Sequence, residues 1–373
     1  MNMNFEYLSP VQIIFGNGRI KELGKLARRY GDNALVVTGR ISMRRHGGLE
    51  RVLNNLKESG INSVVFDKIS SNPKSDEVDE AIHLVREGHY NLIIGLGGGS
   101  AIDSAKAISV GINYDSIREL IGGKAIEKAE YSIPVISVPT TSGSGAEVTK
   151  GAIITDTVRN LKSGVRGSAL FPKLALVDPE LTYTMPRQTT LETGFDALTH
   201  AIETYVANKS NPICDLCSEK AIEIIYEYLP QAIENGNDKS AREKMAFASL
   251  LGGVNIANTG TCLPHRMQQA MGSVIDISHG RGMATLYPAW LEKVSPYREG
   301  KFNKISELLG NTGESHQAVI NFMQKIGIYC SLGDYARMSY IDKFLEKTSG
   351  NIENDPLPNI DQKLMREIYE KSF

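Results

Sequence analysis

Cysteine is scarce in this chain: four in 373 residues, at 214, 217, 262 and 330, too scattered for a disulfide framework. Cys214 and Cys217 do form a C-x-x-C, but within a helical-looking stretch and without the second pair that zinc ribbons need. They read as two reduced thiols on a helix. No apolar run approaches the roughly 20 residues of a membrane-spanning helix. The start, MNMNFEYLSP, lacks the basic-then-apolar build of a leader peptide. Charge of one sign is missing too, with 41 basic against 43 acidic residues, so neither a nucleic-acid stripe nor an acidic tail is present. These absences point to a cytoplasmic protein with no membrane or nucleic-acid partner.

What is present is glycine, 35 residues, together with short apolar runs separated by amphipathic stretches. Candidate strands are residues 34–38, 63–66, 91–97, 131–139 and 173–178, with helical patterns such as GLERVLNNLKESG and SDEVDEAIHLVREGH between them. Near-continuous apolar strands spaced by helices indicate a mostly parallel sheet covered on both faces. Beyond residue 189 the periodicity is helical to the end, with breaks expected at Pro230, Gly252-Gly253 and Pro264. The expected fold is an α/β N-terminal domain, residues 1–180, and an all-helical C-terminal domain, residues 181–373, with a cleft between them.

Two glycine-bearing loops follow buried strands. In NLIIGLGGGSAIDSAKA the pattern Gly95-x-Gly97 fits a dinucleotide turn, but Ser100 stands where the last glycine belongs. Alone, this segment suits a ligand-free tight turn as well as a phosphate cradle. The second loop, SVPTTSGSGAEVT, adds the hydroxyls of Thr140, Thr141, Ser142 and Ser144. Two such loops at strand ends of one sheet suggest a crevice for phosphates and ribose. After the first strand comes Gly39-Arg40-Ile41-Ser42-Met43-Arg44-Arg45, with no acid to hold a ribose 2′-hydroxyl. Guanidiniums there suit a 2′-phosphate, which favours NADP over NAD; a solvated basic loop is the plainer alternative.

Histidine is rare, and two of the seven lie close together, His265 and His279 in GTCLPHRMQQAMGSVIDISHG. Upstream, Asp196 and His200 stand four apart on an amphipathic helix, which stacks both side chains on one face. One carboxylate and three imidazoles make a ligand set for Fe²⁺ or Zn²⁺. Each half alone also reads as ordinary packing or ion pairing, and sequence distance does not show that they meet. His46, His83, His89 and His316 lie in polar helix or loop contexts.

Taken in order, GGGSAIDSAKA, PTTSGSGAEVT, DALTHAIETY and the two histidines fourteen apart resemble the iron-containing (group III) alcohol dehydrogenase family, over nearly the whole chain. The resemblance implies a divalent metal on Asp196, His200, His265 and His279. It implies nucleotide contacts at Gly39, Ser42, Asn72, Gly97, Gly98, Gly99, Ser100, Asp103, Thr140, Thr141, Thr149, Lys162 and Leu181. It further implies a small alcohol or aldehyde substrate and a homodimer. On sequence pattern alone Lys162 is a surface lysine.

The chain leaves the family pattern at Gln269, where many members carry a further histidine. The i, i+4 spacing from His265 points Gln269 to the same face, but a carboxamide does not titrate near neutrality. Its expected role is to orient substrate or water; a helix-surface glutamine is the alternative. Arg266 and Arg281 each adjoin a candidate ligand, which keeps an anionic aldehyde such as phosphonoacetaldehyde in view beside a plain pairing with acids. The stretch GRGMATLYPAWL resembles the butanol-dehydrogenase side of the family. A glycerol-1-phosphate dehydrogenase or sugar-phosphate cyclase relative, and a non-catalytic nucleotide binder, are the competing readings.

Overall fold

The computed structural model describes residues 3–373 except 46, 130, 312–313 and 351, and omits the side chains of Ser42 and Arg45. The chain divides into two compact units, Ser9–Thr184 and Met185–Phe373, the latter joined by Met1–Leu8. The N-terminal segment thus departs from the expected 1–180 grouping. Asn258 explains why: its carboxamide takes the Leu8 N–H at 2.7 Å and donates to the Leu8 carbonyl at 3.1 Å.

In the first unit the strands are β1 (Gln12–Phe15), β2 (Asn33–Gly39), β3 (Asn62–Ile69), β4 (Leu92–Gly97), β5 (Val135–Pro139), β6 (Gly151–Asp156), β7 (Leu161–Arg166) and β8 (Leu174–Val177). Its helices are α1 (Leu23–Ala27), α2 (Ser42–Arg45), α3 (Gly48–Glu58), α4 (Ser75–Gly88) and α5 (Gly99–Gly111). Six strands form one sheet in the order β1-β8-β5-β4-β2-β3, every pairing parallel.

Alternation along the strands sorts the two cores. Leu35, Val37 and Ile93 face one cluster with Val78, Ile82 and Ile108, whereas Ala34, Val36, Leu92 and Ile94 face the other with Leu23, Val52 and Leu56. Burial on both faces is why these strands read as continuous apolar runs. Strand order reverses between β2 and β4, so the loops leaving those strands flank the switch point where α/β sheets hold ligands.

Two elements lay outside the sequence reading. The short β1 pairs with β8, and β6 with β7 forms an antiparallel hairpin. The hairpin's alternation is blurred by Asp156 and Lys162, both buried despite their charge.

Among the described residues of the second unit there is no strand, and its α-helices are α6 (Arg187–Val206), α7 (Pro212–Glu234), α8 (Lys239–Thr259), α9 (Leu263–Val274), α10 (His279–Val294), α11 (Glu299–Leu308), α12 (Gln317–Ile326), α13 (Ile341–Lys347) and α14 (Gln362–Lys371). Two expected breaks are corrected here. Pro230 lies inside α7, where burial of Leu229, Ala232 and Ile233 outweighs the one lost hydrogen bond. Gly252 and Gly253 lie inside α8, and Gly252 passes close to the His200 side chain. Small residues at a helix contact, rather than a helix end, account for that pair. Pro264 does mark a boundary, at the first turn of α9, where its missing N–H costs nothing. No described helix is long and apolar enough to cross a membrane.

Candidate metal centre and nucleotide loops

Three helices bring the four expected ligands together. Asp196 and His200 project from the middle of α6, His265 from the first turn of α9, and His279 is the first residue of α10. Nε2 of His265 lies 2.9 Å from Nε2 of His200, and Asp196 Oδ1 lies 3.7 Å from both and 3.1 Å from His279 Nε2. The His200 and His265 rings stack with centroids 4.6 Å apart. Neighbouring ligand atoms of a tetrahedral N/O site with bonds of about 2.0–2.1 Å stand roughly 3.3–3.4 Å apart. Among the described residues, ligand atoms of Asp196, His265 and His279 all lie within 4.8 Å of one another, while His200 reaches Asp196 and His265 but stands outside that group.

Asp196 Oδ1 is fully buried and makes no hydrogen bond of acceptable geometry. Desolvation works against its charge, yet His200 and His279 hold this carboxyl well below its ordinary range. Burial drops His200 to about 4. His265 is also disfavoured as a cation by burial, but Glu203 and Asp196 raise it to about 9. One proton can therefore serve the stacked pair, donated from His265 Nε2 to His200 Nε2. A divalent cation at that point replaces the proton and satisfies the stranded carboxylate oxygen. The donor set fits such an ion.

The surroundings are built to hold this geometry. Glu203, one turn after His200, accepts from His265 Nδ1 at 2.7 Å with one oxygen and from the Cys262 N–H at 2.7 Å with the other. Asp355 takes the Leu263 N–H and the Trp290 indole N–H, both at 2.9 Å. Two buried carboxylates thus nail down the start of α9. Gln268 meets His279 Nδ1 at 2.6 Å. Gly280 lets α10 touch α6: a Cβ there would come within 2.5 Å of the Glu192 carbonyl. None of Glu203, Gln268 or Asp355 was expected from the sequence. The i+3 spacing of Glu203 from His200 was the one signal available.

Of the two arginines beside the ligands, Arg281 pairs with Glu192 at 3.3 Å, the plainer of its two expected roles. Arg266 is buried and donates to Thr261 Oγ1 at 2.7 Å and to Gln269 Oε1 at 3.1 Å. Because a guanidinium only donates, the atom of Gln269 facing it must be the oxygen, which leaves the amide N–H₂ to other partners.

In the α/β unit the loops after β2, β4 and β5 leave the same end of the sheet, as parallel strands require. The Thr140 N–H donates to the Gly97 carbonyl at 3.0 Å, and a Cβ on Gly99 would come within 2.8 Å of Ser144 Oγ, so the two polar loops touch. Ser142 Oγ is buried without a hydrogen-bond partner, as expected of a loop that reserves a donor for a ligand. Lys162, far from being a surface residue, is buried on β7 and donates to Asn72 Oδ1 at 2.8 Å, joining two of the expected nucleotide contacts.

Other expected contacts have structural work. Asp103 pairs with the wholly buried Lys106 at 2.9 Å and accepts the Ile153 N–H at 2.9 Å. Thr149 Oγ1 accepts from the same lysine at 3.0 Å, and the Leu181 side chain lies in the core. Gly39 ends β2 and Ser100 donates to the Ser71 carbonyl at 2.5 Å. Ser42 begins α2, with its side chain outside the described atoms, and His46 lies outside the described residues. The exposed Arg40 pairs with the buried Glu77 at 3.0 Å, and Arg44 with Asp67 at 2.6 Å. Cys214 and Cys217 are free thiols on α7.

Comparison with known proteins meets this geometry. Residues 10–179 match the family model described as iron-containing alcohol dehydrogenase, and residues 190–372 match the C-terminal model of the same family. The chain belongs to the iron-containing alcohol dehydrogenase family. It is 36% identical to the NAD-dependent methanol dehydrogenase of Bacillus methanolicus, over 82% of this chain and 79% of that one. It is 34% identical to the NADPH-dependent butanol dehydrogenase of Clostridium saccharobutylicum, over 85% and 82%. The crystal structure of sulfoacetaldehyde reductase from Bifidobacterium kashiwanohense, in complex with NAD⁺, superposes with a TM-score of 0.86 at 30% identity, covering 99% of both chains. The family is one of NAD(P)-dependent oxidoreductases, and this chain is an alcohol dehydrogenase of that kind.

Proposed function

We propose that the chain reduces a small aldehyde, or oxidises the matching alcohol, at a divalent ion held by Asp196, His200, His265 and His279. The carrying observation is the stranded Asp196 Oδ1 with three imidazole nitrogens 3.1–3.7 Å away, on three different helices. When bound, Fe²⁺ or Zn²⁺ supplies Lewis acidity at the substrate oxygen and the nicotinamide supplies or accepts the hydride. The protein's part is to hold and orient. Glu203 keeps the His265 ring in place, and burial of Asp196, His200 and His265 restricts water on that side. Gln269 presents amide N–H groups on the His265 face of α9 and orients the substrate or a water that relays the proton. Changing Gln269→Ala is expected to alter turnover and aldehyde selectivity; unchanged values for both would remove it from the site.

For the nucleotide, the reading rests on the loops after β2, β4 and β5: Gly39 and Ser42, the turn Gly97-Gly98-Gly99-Ser100, and Thr140 and Thr141. Asn72 and the Asn72–Lys162 pair would flank it. Thr149, Asp103 and Leu181 would support these contacts from behind. We propose NADP as the preferred form. The segment Gly39 to Arg45 carries no carboxylate of its own for a 2′-hydroxyl, and the exposed guanidiniums of Arg40 and Arg44 would turn from Glu77 and Asp67 to a phosphate. Steady-state KM values for NADPH and NADH, taken in parallel on the metal-loaded enzyme, test this. A lower KM for NADH contradicts it.

A second substrate reading has its own observation. The buried guanidinium of Arg266 lies next in sequence to the candidate ligand His265, a cation of the kind that suits an aldehyde with an anionic tail, of the phosphonoacetaldehyde or sulfoacetaldehyde type. An aldehyde panel with neutral and anionic members separates the two. Light scattering would test the homodimer that we propose for the working form, and cell fractionation the cytoplasmic location.

A further inference from the structure

Gln268 touches the centre, yet no motif accounts for it. It is 0% exposed, and its Oε1 lies 2.6 Å from His279 Nδ1. A carboxamide oxygen only accepts, so Nδ1 carries a proton, and Nε2, 3.1 Å from Asp196 Oδ1, is the nitrogen left to offer its lone pair to a metal ion. The match with His265 is instructive, because there a carboxylate, Glu203, makes the corresponding contact. His265 is 5% exposed at its side chain and charge-backed; His279 is 32% exposed and backed by a neutral amide. A neutral acceptor adds little basicity to the ring, so what Gln268 contributes is chiefly tautomer and orientation.

The surroundings leave this carboxamide no room to spare. It reaches His279 across the first turn of α10, where Gly282 makes space: a Cβ at 282 would come within 2.9 Å of both Gln268 Cγ and Nε2. Gln268 Nε2 is buried without a hydrogen bond, a cost that a purely packing residue would not carry and an apolar one would avoid.

We infer that Gln268 is a positioning residue of the metal centre, locking the tautomer and ring plane of His279 and through them the metal affinity. This rests on the four-ligand reading given above. The test is a Zn²⁺ titration of metal-free protein against a chromophoric chelator, for wild type, Gln268→Met, Gln268→Glu and His279→Ala. Gln268→Met keeps the volume but cannot accept, and should weaken Zn²⁺ by about 10–100-fold. Gln268→Glu restores an acceptor and should bind at least as tightly as wild type. The melting temperatures of the metal-free forms report whether folding is spared. Zn²⁺ affinity of Gln268→Met within about twofold of wild type, with His279→Ala weakened, would overturn the inference. Wild-type affinity in His279→Ala would instead overturn the ligand set. Should Gln268→Met fail to fold, Gly282→Ala displaces the same carboxamide, and unchanged Zn²⁺ affinity in that variant counts equally against the inference.

Discussion

The two units would build their proposed sites from different materials. In Ser9–Thr184 the proposed working surface is mostly backbone and hydroxyl: strand ends, a glycine turn and the loop from Thr140 to Ser144. In Met185–Phe373 it is side chains on helices, with Asp196, His200, His265 and His279 held by Glu203, Gln268 and Asp355. Backbone can approach a phosphate closely but offers no ligand for a divalent ion of this class, whereas imidazoles and carboxylates do. A loop-built site also fails differently: it is spoiled by adding atoms, the helix-built one by removing them.

That contrast can be broken by substitutions in each unit. The largest effect is expected for Asp196→Ala, which should abolish metal retention and turnover while leaving NADPH binding, measured by fluorescence titration, intact. Loss of both together would deny the separation. Next comes Glu203→Ala, which strands His265 Nδ1 and the Cys262 N–H and should weaken metal binding by about 10–100-fold, read by chelator competition. In the other unit, Gly99→Ala forces a Cβ against Ser144. The overpacking cost of about 1–3 kcal/mol predicts roughly a tenfold rise in the NADPH Kd, with metal content unchanged.

Much of this division was legible in the sequence. Apolar strands buried on both faces show themselves by composition, and Asp196 and His200 share a helix face by spacing alone. The meeting of α6, α9 and α10 was not legible, because contacts sixty and more residues apart leave no local pattern. The same holds for the supporting groups. Gln268 and Asp355 look like ordinary polar residues until the fold places one against His279 and the other against the start of α9. Pro230 and the Gly252-Gly253 pair misled because local propensity yields to tertiary packing. Lys162 misled in the opposite direction, since a short hairpin buried a charge that its neighbours in sequence do not predict.

A further prediction concerns stability in the loop-built unit. Glu147, in the turn after Thr140–Ser144, is buried, and desolvation lifts its carboxyl from 4.5 to about 7, against the pull of Lys106. The folded form then binds a proton that the unfolded chain has lost, so stability from this group is complete below about pH 4.5 and falls as pH rises toward 7. The full loss amounts to about 3 kcal/mol. Glu147→Gln should therefore melt several degrees above wild type at pH 8, and nearly with it at pH 4.5. Equal melting curves at both values would show that Glu147 is not desolvated as described.

The central claim is that the four side chains of the helical unit form a metal centre on which aldehyde reduction depends. Its most direct test is to strip the wild-type chain with a chelator, add Fe²⁺ or Zn²⁺ in steps, and follow NADPH absorbance with a panel of aldehydes. The account predicts a rate that rises in proportion to bound metal and saturates near one ion per chain, with none in Asp196→Ala. A full rate before any metal is added, or one restored equally in Asp196→Ala, would contradict it.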